Sequence, residues 1–599
     1  MMGSADNKQF APSLFKYSRQ QTAAIRIGNL SMGGDAPIRV QSMTTTDTND
    51  IEASVEQCLR IVAAGGEIVR LTTQGEREAR SIGLVAQELR DKGRTVPLVA
   101  DVHFNPNAAI TAAALVEAVR INPGNYTGEA KRFNKDADKM TDAEWHGLIL
   151  QKLRPLVDAC KAHGTALRIG VNHGSLSDRI MAKYGDTPQG MVASCTEYID
   201  ALEELDFHDI AISIKSSNTR VMVETVRLLA ATLRRRGTVY PLHLGVTEAG
   251  SDAEGRIKSA AGIGALLNDG LGDTIRVSLT EAPEAEIPVA KALVRHCAKL
   301  QDAQGVREVS TSSYSPFAYQ RRASRAVANI GGDNAPMIMT LGHAPTEQDW
   351  TVATDCGSAC NASAGERKIL SLHKAETAPD QEIFIRLTLS ELMAQDDTAL
   401  RRGNVIVLGE CETGNTQAEM RALSLELTNR GIEAPFVPTY SSKEANADAI
   451  QLEMAADLGG LLIDGLADGI CVIAPNAIPA DVSDAADILL QATRARFSRT
   501  EFISCPGCGR TLYDIQETVG HIKEQFGHLR GLKIGVMGCI VNGIGEMADA
   551  DYGYVGAGRG KISLYRGKEV IKRSIDQSEA LDILKQIIKA DGRWVEPQK

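Results

Sequence analysis

The chain has 599 residues, of which 43% are hydrophobic, 24% charged and 4% aromatic, a composition typical of a soluble globular protein. At about 150 residues per domain, this length predicts three or four domains. The net charge of −11 argues against a nucleic-acid partner, because binding a phosphate backbone needs a basic surface. No run reaches the ~18 apolar residues of a membrane span, and the N-terminus lacks a secretory signal. We therefore expect a cytoplasmic protein with no membrane partner.

From about residue 37 to 280, short apolar runs alternate with segments of helical period such as 50–64 and 188–204. Repeated βα units of this kind build a parallel sheet, and eight of them in about 250 residues are what a closed (β/α)8 barrel requires. We predict a TIM-type barrel over residues 21–300, after an N-terminal tail of residues 1–20. The eight strand-like runs are Ile38–Met43, Ile68–Thr72, Pro97–Phe104, Ala118–Ile121, Ala166–Val171, Ile210–Ile214, Pro241–Val246 and Thr274–Leu279.

Polar side chains concentrate at the C-terminal ends of these runs, the face on which such barrels carry their active sites. Any one arginine there could serve only a structural role, by forming a salt bridge within the barrel. Five converging cations instead predict a diphosphate site in an otherwise acidic protein. The basic residues are Arg70, Arg120, Arg168, Lys215 and Arg276, and the other polar residues are Asp101, His103, Asn122, Asn172, His243, Glu248 and Ser278.

Beyond the barrel, the serine-rich stretch Ser310–Ala323 indicates a domain boundary. Residues 301–495 show a second α/β pattern without a convergent cluster of charged residues, so we predict an inserted structural domain. A small C-terminal α/β domain follows over residues 496–599. Near its end, three glycines at 556, 558 and 560 lie between two strand-like runs, which favours a β-hairpin over a dinucleotide-binding loop, since the latter needs a following helix.

Three cysteines of the C-terminal domain form the strongest motif. Cys505 and Cys508 are two residues apart, and Cys539 follows an apolar run in a glycine-rich loop. A four-iron cluster normally takes four ligands, and Glu546 in the same loop is the best fourth. A carboxylate suits iron–sulfur iron less well than a thiolate does, so it leaves one iron accessible to a substrate oxygen.

Zinc and a thioredoxin-like redox pair are the alternatives for these cysteines. Tetrahedral zinc needs four N or S ligands, and a redox pair needs no third cysteine. Zinc would fit a non-redox barrel lyase or transferase acting on a phosphorylated substrate. An iron–sulfur electron carrier or scaffold without a substrate is the second rival. The other eight cysteines are typical of core packing.

The motifs resemble one known family. Cys505-Pro-Gly-Cys508-Gly-Arg and Gly538-Cys539-Ile-Val-Asn542-Gly-Ile-Gly-Glu546 are similar to the cluster motifs of 4-hydroxy-3-methylbut-2-enyl diphosphate synthases of the non-mevalonate isoprenoid pathway, in their long three-domain form. The barrel agrees through Val40-Gln41-Ser42-Met43-Thr44, Asp101-Val-His103-Phe, Arg120-Ile-Asn122-Pro-Gly-Asn, Arg168-Ile-Gly-Val-Asn172-His-Gly-Ser, His243-Leu-Gly-Val-Thr-Glu248-Ala-Gly and Arg276-Val-Ser278.

This resemblance implies reductive ring opening and dehydration of 2-C-methyl-D-erythritol 2,4-cyclodiphosphate, with two electrons from ferredoxin or flavodoxin through a [4Fe–4S] cluster. Cys505, Cys508, Cys539 and Glu546 would ligate iron, and Glu248 would be the acid/base. The substrate-binding set would be Arg70, His103, Arg120, Asn122, Arg168, Asn172, Lys215, His243, Arg276 and Ser278. In the short family form, the cluster of one chain meets the barrel of the other chain in a homodimer. A long chain has a second arrangement open to it, in which its cluster meets its own barrel.

Overall fold

The computed structural model describes residues 9–127, 140–375, 381–540, 543, 545, 547 and 549–597. The chain divides into two compact units. One comprises residues 21–255, 272–291 and 499–599, and the other comprises residues up to 20 together with 256–271 and 292–498. Among the described helices, none combines the length and the apolar character needed to cross a membrane.

The first unit contains the predicted barrel. After the antiparallel hairpin of β1 (Ile25–Ile27) and β2 (Leu30–Met32), eight parallel strands close in the order β10-β3-β4-β5-β6-β7-β8-β9. Each of the eight predicted runs contains one of these strands or stops one residue short of its C-terminal end, so the TIM-type fold is confirmed. The strands are β3 (Arg39–Met43), β4 (Ile68–Thr73), β5 (Leu98–Val102), β6 (Ala118–Ile121), β7 (Ala166–Asn172), β8 (Ile210–Lys215), β9 (Leu242–Leu244) and β10 (Thr274–Ile275).

Helices connect these strands, and their ends follow local capping rules. Asn218 caps the helix after β8 by accepting from the backbone N–H groups of Arg220 and Val221, and Gly237 ends it with φ of +86°, a left-handed conformation that glycine adopts readily. The helices are α1 (Ile51–Ala63), α2 (Glu76–Asp91), α3 (Pro106–Ala113), α4 (Pro123–Tyr126), α5 (Asp142–His163), α6 (Asp178–Tyr184), α7 (Pro188–Glu204), α8 (Thr219–Arg236), α9 (Asp252–Asn268) and α10 (Pro283–Ala298).

The β1–β2 hairpin closes the N-terminal end of the barrel. Ile25, Ile27 and Met32 are buried against apolar residues near the starts of the barrel strands, including Ile68 and Val99. Apolar packing fills this end of the barrel, so a ligand site is expected at the opposite face, where the polar C-terminal ends of the strands lie.

The second unit contains a closed barrel that the sequence analysis did not predict as a barrel. Its strands follow one another round the ring, with antiparallel pairs between β12 and β13 and between β13 and β14. They are β11 (Met337–Leu341), β12 (Trp350–Val352), β13 (Ser358–Asn361), β14 (Gly365–Ser371), β15 (Ile383–Leu387), β16 (Val405–Gly409), β17 (Phe436–Ser441) and β18 (Gly469–Ile473). The helices are α11 (Leu372–Ala375), α12 (Leu389–Ala394), α13 (Thr416–Asn429), α14 (Ala447–Ile463) and α15 (Pro479–Ala492).

The C-terminal domain belongs to the first unit and contains a five-stranded sheet, on which two helices with described bounds pack. Its strand order is β19-β20-β21-β22-β23, in which the first three strands are parallel and the last two pairings are antiparallel. The predicted β21–β22 hairpin is confirmed. The elements are β19 (Glu501–Ser504), α16 (Ile515–Phe526), β20 (Lys533–Met537), β21 (Tyr552–Gly558), β22 (Lys561–Arg566), β23 (Glu569–Asp576) and α17 (Gln577–Ala590).

Candidate active site

Five basic side chains lie buried inside the C-terminal half of the first barrel. Strand register places Arg120 of β6 beside Arg168 of β7, and Lys215 at the end of β8 beside Asn172. Arg70 on β4 and Arg276 after β10 complete the group. Each of these five cations is at most 8% exposed. Burying so much positive charge is costly unless a partner anion is present, so the group is suited to an anionic ligand.

Arg120 is the centre of a hydrogen-bonded network. Its Nη1 donates to Asp101 Oδ1 at 3.2 Å and lies 2.7 Å from His103 Nε2, while its Nη2 donates to Gly170 O at 2.9 Å and to Asn172 Oδ1 at 2.6 Å. This network fixes the guanidinium plane before any ligand arrives, which lowers the entropy cost of binding.

Arg276 is held by a carboxylate that lies on α10. Glu286 accepts from Arg276 Nε at 3.0 Å and from Nη2 at 2.9 Å, and it also accepts from Ser42 Oγ at 2.6 Å and from the backbone N–H of Leu279 at 3.2 Å. Such a two-pronged contact fixes the orientation of the guanidinium. Glu286 is therefore a positioning residue for Arg276.

Burial and mutual repulsion shift the protonation equilibria of this group. Burial, and then the nearby charges of Arg276 and Arg120, lowers the pKa of Arg70 to about 10 despite Asp101. Burial, followed by the charges of Arg70 and Arg276, lowers the pKa of Lys215 well below its ordinary value. Burial, then Arg120 and Arg510, lowers the pKa of His103 to about 3. His103 is therefore neutral at pH 7, and a bound anion would relieve the repulsion.

The C-terminal domain docks over this barrel face of the same chain. Ala249, one residue after Glu248, forms a parallel β-bridge with Ser504, whose Oγ lies 3.1 Å from Thr280 Oγ1. On the β7 side, Gly174 and Gly545 touch so closely that a Cβ on Gly174 would stand 2.2 Å from the Gly545 carbonyl oxygen.

An ion pair joins the two domains at the centre of this contact. Arg510 Nη2 lies 3.7 Å from Asp101 Oδ2, and both side chains are less than 10% exposed. Burial opposes ionisation of the Cys508 thiol, but the Arg510 charge lowers the pKa of Cys508 below its ordinary value. Arg510 thus stabilises negative charge on both the barrel and the cysteine loop.

The two cysteine loops pack against each other. The backbone N–H of Gly507 points to Cys505 Sγ at 3.3 Å, and that of Cys508 donates to Thr511 Oγ1 at 3.0 Å. Thr511 fills the space that a Cβ on Gly538 would need, at 2.8 Å from that position. The glycine before Cys539 therefore permits the close approach that brings the three thiols to one place.

Glu248 is an acidic barrel residue close to this meeting point. It has a φ of +49° and is 8% exposed; a non-glycine residue in this left-handed region is strained, and such strain clusters at functional sites. Burial, then the charges of Cys508 and Glu248, raises the pKa of Cys505. The carboxylate thus lies within electrostatic range of the cysteine loop.

One cavity lies between the barrel mouth and the cysteine loops, and most of the predicted site residues border it. The predicted residues at the cavity are Arg70, His103, Arg120, Asn172, Lys215, Glu248, Arg276, Ser278, Cys505, Cys508 and Cys539. The sequence analysis did not select the further lining residues Ser213, Thr247 and Arg510.

Three predicted residues do not border this cavity, and a fourth lies outside the part of the chain that the structure describes. Asn122 caps α4 by accepting from the backbone N–H of Gly124. Arg168 donates from Nη1 to Gln41 Oε1 at 3.1 Å, below the cavity, and among the described residues its buried Nε and Nη2 and both ring nitrogens of His243 have no hydrogen-bond partner. Glu546 lies outside the described residues.

Comparison with known proteins assigns the family. The sequence model of the GcpE TIM-barrel domain matches residues 22–291, and that of the GcpE protein C-terminal domain matches residues 501–590. A Parabacteroides distasonis protein named 4-hydroxy-3-methylbut-2-en-1-yl diphosphate synthase (flavodoxin) is 47% identical, with 97% of this chain and 99% of the relative covered. The chain belongs to the 4-hydroxy-3-methylbut-2-en-1-yl diphosphate synthase family. A Chlorobaculum tepidum protein of the same name is 38% identical, with 98% of this chain and 91% of the relative covered.

The cysteine set fits the cluster that we expect in a 4-hydroxy-3-methylbut-2-en-1-yl diphosphate synthase. Within the part of the chain that the structure describes, no three His, Cys, Asp or Glu side chains are grouped to hold a single metal ion, although three thiols border one cavity. In a four-iron cluster each thiolate binds a different iron, so separated thiols round a common space are the expected arrangement.

Sequence reasoning missed the residues that act through others in this synthase fold. Glu286 belongs to the helical pattern of α10, and the sequence alone does not distinguish a buried glutamate in such a helix from a solvent-exposed one. Arg510 lies inside the cysteine motif that the sequence analysis quoted, and its proximity to the Cys508 thiol is a signal that could have selected it. Ser213 and Thr247 carry no charge, so their type alone predicts nothing.

Proposed function

We propose that the chain reduces 2-C-methyl-D-erythritol 2,4-cyclodiphosphate to 4-hydroxy-3-methylbut-2-enyl diphosphate, using electrons from flavodoxin. The observation that carries this proposal is the single cavity bordered by the buried cations of the barrel and by Cys505, Cys508 and Cys539. A cationic site that meets cysteine loops suits the reduction of a phosphorylated substrate, whereas the zinc-containing lyase receives no support. The reaction is cytoplasmic.

The barrel residues hold the diphosphate. Arg70, Arg120, Lys215 and Arg276 supply positive charge, and Ser278 supplies a hydroxyl group to the same cavity. Arg168 and His243 do not border the cavity; Arg168, which is paired with Arg120 in the β6–β7 register, adds positive charge behind the anion site, and Asn122 braces the loop after β6. Because these donors are already buried, they contact phosphate oxygens with little loss of solvation.

The cysteine loops would hold a [4Fe–4S] cluster through Cys505, Cys508 and Cys539, with Glu546 as the fourth ligand. When bound, the cluster would relay the two electrons of the reaction from flavodoxin to the substrate. The bond between C2 and its diphosphate oxygen breaks, and the C3 hydroxyl leaves as water. Two electrons and two protons balance the change, with one proton leaving in the water and one remaining on the freed diphosphate.

Glu248 is the proposed proton source for the departing hydroxyl. It borders the cavity on the side of Cys505, so a carboxyl group stands beside the reacting carbons if the diphosphate lies among the arginines. Asn172 orients Arg120 and the substrate. The proposal needs no second chain, because barrel and cysteine loops of one chain meet in one unit.

Anaerobic purification tests the cofactor part of this proposal. About four iron and four sulfide per chain are expected, together with loss of both in a Cys539→Ser variant. Zinc without sulfide would remove the reductive mechanism.

A further inference from the structure

We infer that the electron donor docks on an exposed surface at the end of the C-terminal sheet where strands β19, β20 and β21 finish. We call this surface the cluster-edge patch, and it is formed by Ile540, Arg559, Lys561 and Arg573. This inference rests on the proposed function, because it says where flavodoxin delivers its electrons. The occupant is a flavodoxin-type carrier that presents acidic residues round its flavin.

The order of the strands places this patch beside the cysteines. Strands β19, β20 and β21 are parallel neighbours, so their C-terminal ends lie at one edge of the sheet, where Cys505 follows β19, Cys539 follows β20 and the hairpin tip follows β21. The β20–β21 register ends with Met537 beside Val555. Neighbouring strands are about 4.8 Å apart, so the tip lies roughly one strand spacing from the Cys539 loop.

A direct contact confirms this adjacency. A Cβ on Gly556 would stand 2.4 Å from the carbonyl oxygen of Gly538, the residue before Cys539. Arg559 is three residues beyond Gly556, a span of at most about 11 Å even when fully extended. A protein seated on Arg559 is therefore close to the thiol loop.

The patch is exposed, whereas the three cysteines of the cluster motif are half-buried. The barrel lies against Ser504 and Arg510, but Arg559, Lys561 and Arg573 at the other side of the edge are exposed. Ile540, the residue after Cys539, has 53% of its surface accessible. Ile540 therefore offers an apolar contact next to the cysteine loop, and the three cations supply the charge of the patch.

Charge selects an acidic partner for this patch. The patch carries three cations, of which Lys561 donates from Nζ to Asp576 Oδ2 at 3.4 Å. The whole chain carries a net charge of −11, so it repels an acidic carrier overall and attracts it at the patch. This contrast orients the carrier as it approaches. Transient redox complexes bury less than about 1,200 Å², so such a partner needs only a small docking surface.

Charge reversal with two reductants tests the inference. We would compare wild type, Arg559→Gln, Arg559→Glu/Lys561→Glu, and the control Lys568→Glu, whose exposed side chain lies in the turn at the opposite end of β22. Turnover would be driven either by reduced flavodoxin or by reduced methyl viologen, which needs no docking surface. Iron content and the visible spectrum would establish that each variant is loaded.

The double variant should lose at least about tenfold in kcat/KM for flavodoxin, since steering contributes 10- to 1,000-fold, and should show a weaker salt dependence. Arg559→Gln should lose less, and methyl viologen turnover should be unchanged throughout. Unaltered flavodoxin kinetics in the double variant, an equal loss in Lys568→Glu, or an equal loss of methyl viologen turnover in the double variant would overturn the inference. Absence of methyl viologen turnover in wild type would instead contradict the proposed function.

Discussion

Ala249 and Ser504 form a parallel β-bridge, and the residues next to them are Glu248 and Cys505. This backbone contact joins the end of the barrel's β9 loop to the end of β19 in the C-terminal domain. Side chains of neighbouring residues on paired strands are held at fixed spacing. The bridge therefore sets the position of the proposed acid/base relative to the cysteine loop.

Replacing Glu248 with Gln should lower kcat by about 10² to 10⁴, the usual contribution of a positioned proton donor. The amide keeps the size of the side chain but cannot supply a proton, so substrate binding and iron content should be retained. Steady-state turnover with reduced methyl viologen measures the loss. A Glu248→Gln enzyme with wild-type kcat would exclude this residue as the acid/base.

Mixing inactive chains tests whether one chain supplies both halves of the site. Glu248→Gln and Cys539→Ser chains, co-expressed with different tags and purified as mixed species, should show no more activity than the sum of the separate variants. The reason is that Glu248 and the cysteine loops lie in the same unit of one chain. Recovered activity in the mixed species would show that the site forms across a dimer.

Substrate binding should take up protons at pH values between the depressed pKa of Lys215 and its ordinary value. The pKa of Lys215 is depressed in the free protein by burial and by neighbouring cations, and a bound diphosphate favours its charged form, so binding raises that pKa. Affinity should therefore fall as pH rises through the depressed pKa. Calorimetry of the substrate in buffers of different ionisation enthalpy measures the uptake.

Lys215→Met is the matched variant for this measurement, because it removes the ammonium group and keeps most of the side-chain volume. The variant should bind more weakly and take up fewer protons than wild type. Equal proton uptake in both proteins would assign the effect to another group such as His103.

Glu286→Gln should destabilise the barrel and weaken substrate binding. The substitution removes the charge that pairs with Arg276 in a buried site, and breaking such a pair costs about 3–5 kcal/mol. The first thermal transition should move to lower temperature, and KM should rise because Arg276 loses its fixed orientation. Glu284→Gln on the same helix, whose carboxylate pairs with the half-exposed Arg60, should change neither quantity appreciably. Similar behaviour of the two variants would argue against a special role for Glu286.

The sequence predicted the first barrel well because its strands are buried on both faces and therefore appear as separate apolar runs between amphipathic helices. It did not predict that the second unit closes into a barrel. Short strands such as Trp350–Val352 and the antiparallel strand Ser358–Asn361 break the regular βα alternation there. Strand-end position indicated Arg120 and Lys215 correctly as cavity residues, since the side chains at the ends of parallel strands converge.

Strand-end position was less informative for Asn122 and Arg168. Asn122 satisfies the start of a helix, a local demand that also accounts for asparagine at that position. Arg168 lies one layer below the cavity beside Gln41, and depth inside a barrel depends on strand stagger, which the sequence does not specify. Contacts between domains, such as Arg510 with Asp101, depend on docking that no local pattern records.

The most direct test of the account is product formation by anaerobically reconstituted protein. Protein holding about four irons per chain would be incubated with 2-C-methyl-D-erythritol 2,4-cyclodiphosphate and reduced methyl viologen, and the organic products would be identified by mass spectrometry. The account predicts 4-hydroxy-3-methylbut-2-enyl diphosphate, with two electrons consumed per molecule and none formed by Cys539→Ser. Fully loaded protein that leaves the cyclodiphosphate unchanged would contradict it.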